Sequence, residues 1–214
     1  MMMNRTLDRH LPVDRDEMFM TRIYAGIDDA TSEELDRVWL RDGVKPTCHK
    51  GCSSCCSQHI LVSPLEAHAL ICFIRRTFSA GQIDELKIRT RQWHAWDGLM
   101  PGRFPGKHPG WNVDLSHYDH HCPLNVDGAC IAYQARPMVC RIHYVSSPAL
   151  ACRALNVGTL KRSVPQVMAS VKSVTEPFQE AVRERIERAG RDYSRSLMTL
   201  PHWLGDMMGW MYHG

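Results

Sequence analysis

Four cysteines fall within nine residues, Cys48-His-Lys-Gly-Cys52-Ser-Ser-Cys55-Cys56, a density of sulfur that no packing requirement calls for. Thiolates so close in sequence can converge on one ion or cluster without long-range folding. The small Gly51, Ser53 and Ser54 leave the backbone free to wrap it. The segment therefore reads as metal-binding. Cys122, Cys130, Cys140 and Cys152 follow at intervals of eight, ten and twelve residues, giving eight candidate ligands, enough for two four-ligand sites.

The rival account of so many cysteines is a disulfide framework, which belongs to small secreted chains with poor cores. From Met1 to Asp16 the charges of Arg5, Asp8, Arg9, Asp14 and Arg15 leave no apolar stretch long enough for a signal peptide, and no later segment approaches a membrane span. The expected setting is a reducing cytoplasm, where clustered cysteines mean metal or redox chemistry. At 214 residues and 44% hydrophobic content the chain reads as a single domain, 1–214. Within it lie a cysteine-cluster core (46–153), a Pro/Gly linker loop (98–112) and a C-terminal helical region (160–214). A net charge of +3, from 26 basic and 23 acidic side chains, is too balanced for a nucleic-acid surface. Arg183, Arg185, Arg188 and Arg191 alternate with Glu184 and Glu187 as on the solvated face of a helix.

The expected fold is mainly α, with helices around an irregular cysteine-rich core and a short β-hairpin. Thr31 and Glu34 match a capping box before Leu35, Val38 and Trp39, with Gly43 as a stop, which predicts a helix over 32–42. Ser63-Pro64-Leu65-Glu66 combines an N-cap serine, a first-turn proline and glutamate at the third helical position, which predicts a helix to about Phe78. Ser79 and Gln82 repeat the device for a helix to about Asp97. From Gly98 to Gly110, Pro-Gly pairs recur every four residues and exclude regular helix. Thr175-Glu-Pro opens a helix carrying Phe178, Val182, Ile186 and Ala189. The tail holds Leu200, Trp203, Leu204, Met207, Met208, Trp210 and Met211, an apolar surface that must pack on the chain's own core or meet a protein partner or a second copy.

Cys55 and Cys56 are adjacent, so their side chains point to opposite faces of an extended segment or about 100° apart on a helix. That favours two nearby centres, or one terminal and one bridging thiolate. Asp127-Gly128 is a hairpin turn that sets Asn125 across from Cys130 and leaves Cys122 displaced by roughly 10 Å. Cys56-x2-His59 and Cys140-x2-His143 have ligand spacing, and His120 and His121 precede Cys122. With eight thiolates already sufficient for two tetrahedral sites, these histidines stand behind the cysteines as ligands. Cys72 shares a helix face with Leu65, His68 and Ala69 and reads as an inert buried thiol. Arg136 and Arg141, beside Cys140, are placed to offset thiolate charge.

These features occur in a particular order. Cys48-x3-Cys52-x2-Cys55-Cys56 is followed by Ser63-Pro64-x-Glu66, Cys122-Pro123-Leu124, Asp127-Gly128-x-Cys130-Ile131-x-Tyr133 and Arg136-Pro137-x-x-Cys140-Arg141. The order resembles the YkgJ-type cysteine cluster proteins, the CxxCxxCC family of zinc- or iron-chelating domains, over about residues 46–145. The resemblance implies an intracellular protein that holds iron, as an iron-sulfur cluster in one form, or zinc. Two departures are His143-Tyr144 where the family places an aromatic sooner, and a linker and C-terminal helices that lie outside the motif. An enzymatic alternative follows from Cys48-x3-Cys52-x2-Cys55, which resembles the cluster-binding signature of radical S-adenosylmethionine enzymes, although the strand and helix alternation of their barrel is missing. The flagellin lysine methylases share the CxxCxxCC stretch alone. A third class is a structural zinc scaffold whose helices present a docking surface.

Overall fold

The computed structural model describes residues 14–99, 121–152 and 164–210, and its described residues are mainly helical. Helix α1 spans Arg15–Asp42. Asp14 caps it, its side chain accepting from the backbone N–H of Asp16 at 2.9 Å and Glu17 at 2.8 Å, and Gly43 ends it in the left-handed conformation at φ 65°. The helix thus begins well before the expected start at residue 32. Thr31 and Glu34 sit on the buried stripe that also carries Met20, Ile23, Tyr24, Ile27 and Val38. A Thr-x-x-Glu pair three residues apart also arises on one face of a continuous helix, and nothing before Thr31 breaks the chain.

Helix α2 (Pro64–Thr77) forms as its start signal dictates: Ser63 and Glu66 cap each other reciprocally, and Pro64 fills the first turn. Helix α3 (Ala80–Leu99) opens on the matching exchange between Ser79 and Gln82. It runs past the expected end at Asp97, so residues 98 and 99 are helical, and the remainder of the expected Pro/Gly linker lies outside the described residues. Later come α4 (Met138–Ile142), α5 (Ala169–Ser173), α6 (Glu176–Arg188), α7 (Tyr193–Ser196) and α8 (Leu200–Met207). The expected helix after Thr175 is α6, with Val182 and Ile186 buried.

Strands are short. Strand β1 (Leu61–Val62) pairs antiparallel with β4 (Met198–Thr199), and β2 (Asn125–Val126) pairs with β3 (Ala129–Cys130). The second pair is the expected hairpin, in the expected register, with Asn125 opposite Cys130. Asp127 at φ 50° and Gly128 at φ 79° make the tight turn. The first pair was not legible in advance, because its partners are separated by more than a hundred residues.

Helix α2 lies between two apolar clusters. On one side Val62, Leu70, Ile71 and Ile74 pack with Leu86, Leu124, Leu200, Leu204 and Trp210. On the other, Ala69 joins Met20, Ile23 and Ile27 of α1, Met138 and Ile142 of α4, and Val182 and Ile186 of α6. The apolar tail is therefore covered by the chain's own core as far as Trp210, while Met211 lies outside the described residues. None of the described helices is long and apolar enough to cross a membrane.

A buried carboxylate connects α2 to the second cysteine region. One oxygen of Glu66 accepts from Ser63 N at 3.0 Å and Ser63 Oγ at 2.7 Å; the other accepts from Met138 N, the first residue of α4, at 2.9 Å. Helix α4 carries Cys140 and has no side-chain cap of its own. Burial pushes the Glu66 carboxyl up, and the donors from Ser63 and Met138 pull it partly back.

Glu66→Ala is expected to lower stability by roughly 1–3 kcal/mol, the cost of leaving its buried hydrogen-bond partners unsatisfied, as read by denaturant titration. Because the folded-state value is raised, the contribution of Glu66 is fully present below the unfolded value of about 4.3 and declines as pH rises through the folded one. Glu66→Gln should flatten that part of the stability profile, and an unchanged profile would contradict the assignment.

Candidate metal centre

The first cysteine segment is a run of turns. Cys52 N donates to His49 O at 3.0 Å, Cys56 N to Ser53 O at 2.9 Å and Gln58 N to Cys55 O at 3.1 Å. Its two ends are pinned by the second region. Thr47 N donates to Val145 O at 2.9 Å, Val145 N donates to Cys48 Sγ at 3.4 Å, and Cys122 N donates to Cys56 O at 2.7 Å. The β2–β3 turn approaches the same loop: a Cβ at Gly128 would stand 3.7 Å from Gly51 O. Arg89 of α3 donates to Pro123 O at 2.8 Å and holds the chain beside Cys122.

These ties bring together side chains from both regions. Cys48, Cys52, Cys55, Cys56, Cys122, Cys130 and Cys140 line one cavity of about 160 Å³. Cys152, on a helical turn at 149–152, does not line it; it is buried, and its charge is felt by Cys48. Mutual electrostatics sort the eight thiols into two overlapping groups. Cys48 and Cys152 respond to Cys52 and Cys55, whereas Cys56, Cys122 and Cys140 each respond to Cys55; Cys56 and Cys140 also feel Cys122, and Cys130 acts on Cys122 and Cys140. Cys55 belongs to both.

The expected divergence of Cys55 and Cys56 is corrected in one respect. The segment is a turn rather than extended strand or helix, so the two side chains stand close enough to influence each other. Their interaction holds the Cys55 thiol below its usual value and pushes Cys56 up. Burial pushes Cys122 up to about 12, Cys140 well above the usual thiol range, and Cys48, Cys130 and Cys152 upward as well. A thiol pushed up in this way stays protonated near neutral pH, which makes it a weak free nucleophile.

The surrounding donors fit an anionic thiolate centre. Arg136 lines the cavity, stacks at 4.0 Å on Tyr133, and has a buried Nε with no hydrogen-bond partner; Asn125 also lines it, with a buried Nδ2 in the same state. Two orphaned N–H donors beside a ring of sulfurs are what a thiolate or sulfide acceptor would satisfy. Arg136 lowers the ionisation cost of Cys55, Cys130 and Cys140. Arg141 is used differently from Arg136. It is buried against the Tyr24 ring, donates to Arg136 O at 2.9 Å and to the Gln134 carbonyl, and pairs with Asp28 at 2.6 Å, so it chiefly shapes the loop that presents Arg136.

Both candidate histidines line the cavity. His59 Nε2 lies 3.0 Å from Asp97 Oδ1 and its ring stacks on Trp96, so that nitrogen is already engaged. His143 is pushed toward the neutral form by burial. His121 does not line the cavity, and His120 lies outside the described residues. Trp93 of α3 and Leu200 and Pro201 of α8 close the apolar wall. Helix α2 packs against Cys122 and Cys130 through the core and contributes no lining residue. No local motif marks Trp93 or Leu200: the β1–β4 pairing brings in Leu200, and Trp93 comes from α3, where its ring meets His202 of α8.

Compared with known proteins, the chain matches no family model, no curated protein and no solved structure.

Gly128→Ala should cost about 1–2 kcal/mol by placing a Cβ in the left-handed conformation, and should disturb Cys130 through the register it shares with Asn125. Asp127→Asn, which tolerates that conformation, is the control expected to behave as wild type in denaturation and in thiol accessibility.

Proposed function

We propose that this chain is a metal-binding protein of the YkgJ cysteine-cluster type, which holds iron as an iron-sulfur cluster, or zinc, through Cys48, Cys52, Cys55, Cys56, Cys122, Cys130, Cys140 and Cys152. The observation that carries the reading is the meeting of seven of these cysteines, from two distant segments, around one cavity with two orphaned N–H donors. Four thiolates on one zinc ion, at about 2.3 Å each, would stand about 3.8 Å apart. Among the described residues no three cysteine sulfurs lie within 4.8 Å of one another. The wider spacing, and the position of Cys55 in both electrostatic groups, favour a polynuclear centre over a single closed ion.

In such a site the metal would supply redox or structural chemistry, and the chain's own residues would set its surroundings. Arg136 offsets thiolate charge, Asn125 offers a hydrogen bond to sulfur, and Trp93, Leu200 and Pro201 limit water. A cytoplasmic protein that carries or senses metal is the reading that needs fewest additional groups. The zinc scaffold is the alternative distinguished by metal content alone.

Anaerobic purification with elemental analysis should give more than one metal ion per chain, with visible charge-transfer absorption if the metal is iron-sulfur. Colourless protein with stoichiometric zinc would select the scaffold, and metal-free protein would overturn the proposal. Cys55→Ser should reduce bound metal more than Cys48→Ser or Cys130→Ser, because Cys55 is common to both groups. Chelation under reducing conditions should melt the segment from Cys48 to Cys152, since a structural site of this kind contributes roughly 10–16 kcal/mol; unchanged circular dichroism in a verified metal-free sample would refute the coupling.

A further inference from the structure

Cys72 is not the fully buried thiol that its helix face suggests. It is only partly buried, and its Sγ lies 3.6 Å from His68 Nε2, one turn earlier on α2. The same nitrogen lies 2.5 Å from Asp14 Oδ2. Among the described residues these three are the one set of histidine, cysteine and carboxylate ligand atoms that all lie within 4.8 Å of one another. We propose that Asp14, His68 and Cys72 form a three-ligand site for a divalent transition-metal ion such as zinc, separate from the cysteine cavity.

Two other uses of the trio fit less well. A thiol, imidazole and carboxylate can form a nucleophilic relay, but a relay needs the thiol on one ring nitrogen and the carboxylate on the other. Here both address Nε2, so His68 cannot take a proton from Cys72 while Asp14 orients it. Burial and the charges of Glu17 and Asp14 also push the Cys72 thiol up, against activation. Capping is the second use, and it needs only one oxygen of Asp14. Oδ1 receives both Asp16 N and Glu17 N, which leaves Oδ2 for the trio.

Three ligand atoms that lie within 4.8 Å of one another are what a cation requires. A tetrahedral zinc with sulfur at about 2.3 Å and nitrogen at about 2.0 Å sets these ligands roughly 3.5 Å apart, close to the observed separation of Cys72 and His68. The carboxylate needs to withdraw from the ring by less than about 1 Å to admit the ion. The donors are also well held. His68 and Cys72 share a fully capped helix, and Asp14 is fixed as the cap of α1, which is tied to α2 by the ion pair of Glu17 with Arg76. His68 opens onto a surface groove lined by Leu65, Asp16 and Arg185, which leaves room for a water as fourth ligand.

Cobalt(II) added to the full-length protein, as purified with whatever metal its cysteine cavity retains, tests the site. Wild type should bind one equivalent more than Cys72→Ala or His68→Gln, with a thiolate charge-transfer band that both variants lack. Asp14→Ser keeps an N-cap while removing the ligand, and should weaken binding by more than the roughly 10–100-fold that loss of an outer partner costs. Because the readout is a difference between wild type and these variants, it stands whether or not the cavity holds metal; Cys55→Ser should retain the extra equivalent. If a variant fails to fold, zinc protection of Cys72 against alkylation, mapped by mass spectrometry in the wild type, replaces it. Equal cobalt uptake by wild type and folded variants, or Cys72 alkylation unaffected by zinc, would overturn the proposal.

Discussion

The buried carboxylate of Glu66 is the contact on which the arrangement of the cysteines depends. It completes the cap of α2 and, with its other oxygen, receives the first N–H of α4. Helix α4 is only five residues long and would be marginal alone. Fixing its start places Cys140 opposite the first cysteine segment, while Arg141 at its end ties the preceding loop to Asp28 of α1. A capping residue that serves α2 locally thus also sets the position of a side chain more than seventy residues away.

Around that anchor the protein places its polar chemistry at the end of a well-packed helical core. Val62, Leu70, Leu124, Leu200 and Leu204 are almost wholly buried, and the thiols of Cys122 and Cys130 pack against the same cluster. The apolar backing raises the cost of ionising the thiols. Arg136 partly offsets it at Cys140, Cys130 and Cys55. Cys72 is likewise pushed up by burial, and it feels the carboxylates of Glu17 and Asp14 as well as the guanidinium groups of Arg75 and Arg76.

How much of this was legible depended on the range of the signal. The starts of α2 and α3, the stop at Gly43 and the hairpin at Asp127-Gly128 are local, and each appears where its residues place it. The start of α1 was misplaced because Thr31 and Glu34 satisfy a capping pattern while lying on the buried face of a longer helix. The divergence expected of Cys55 and Cys56 was misjudged for a related reason: it assumed regular backbone, and the segment is a series of turns.

The sequence by itself determined that this would be a mainly helical chain with two cysteine-rich segments, because caps and glycine turns act over a few residues. Only the tertiary structure decided which thiols line a common space, that Cys152 is buried outside that lining, and that Trp93, Leu200 and Pro201 form part of its wall. It also decided that Asp14 meets His68 and Cys72. The reason is that these neighbours come from elements far apart in the chain, set together by the β1–β4 pairing, the packing of α1 on α2 and the reach of Glu66 to α4. Such distances are fixed by burial and by satisfied hydrogen bonds across the whole core, and no window of the sequence contains them.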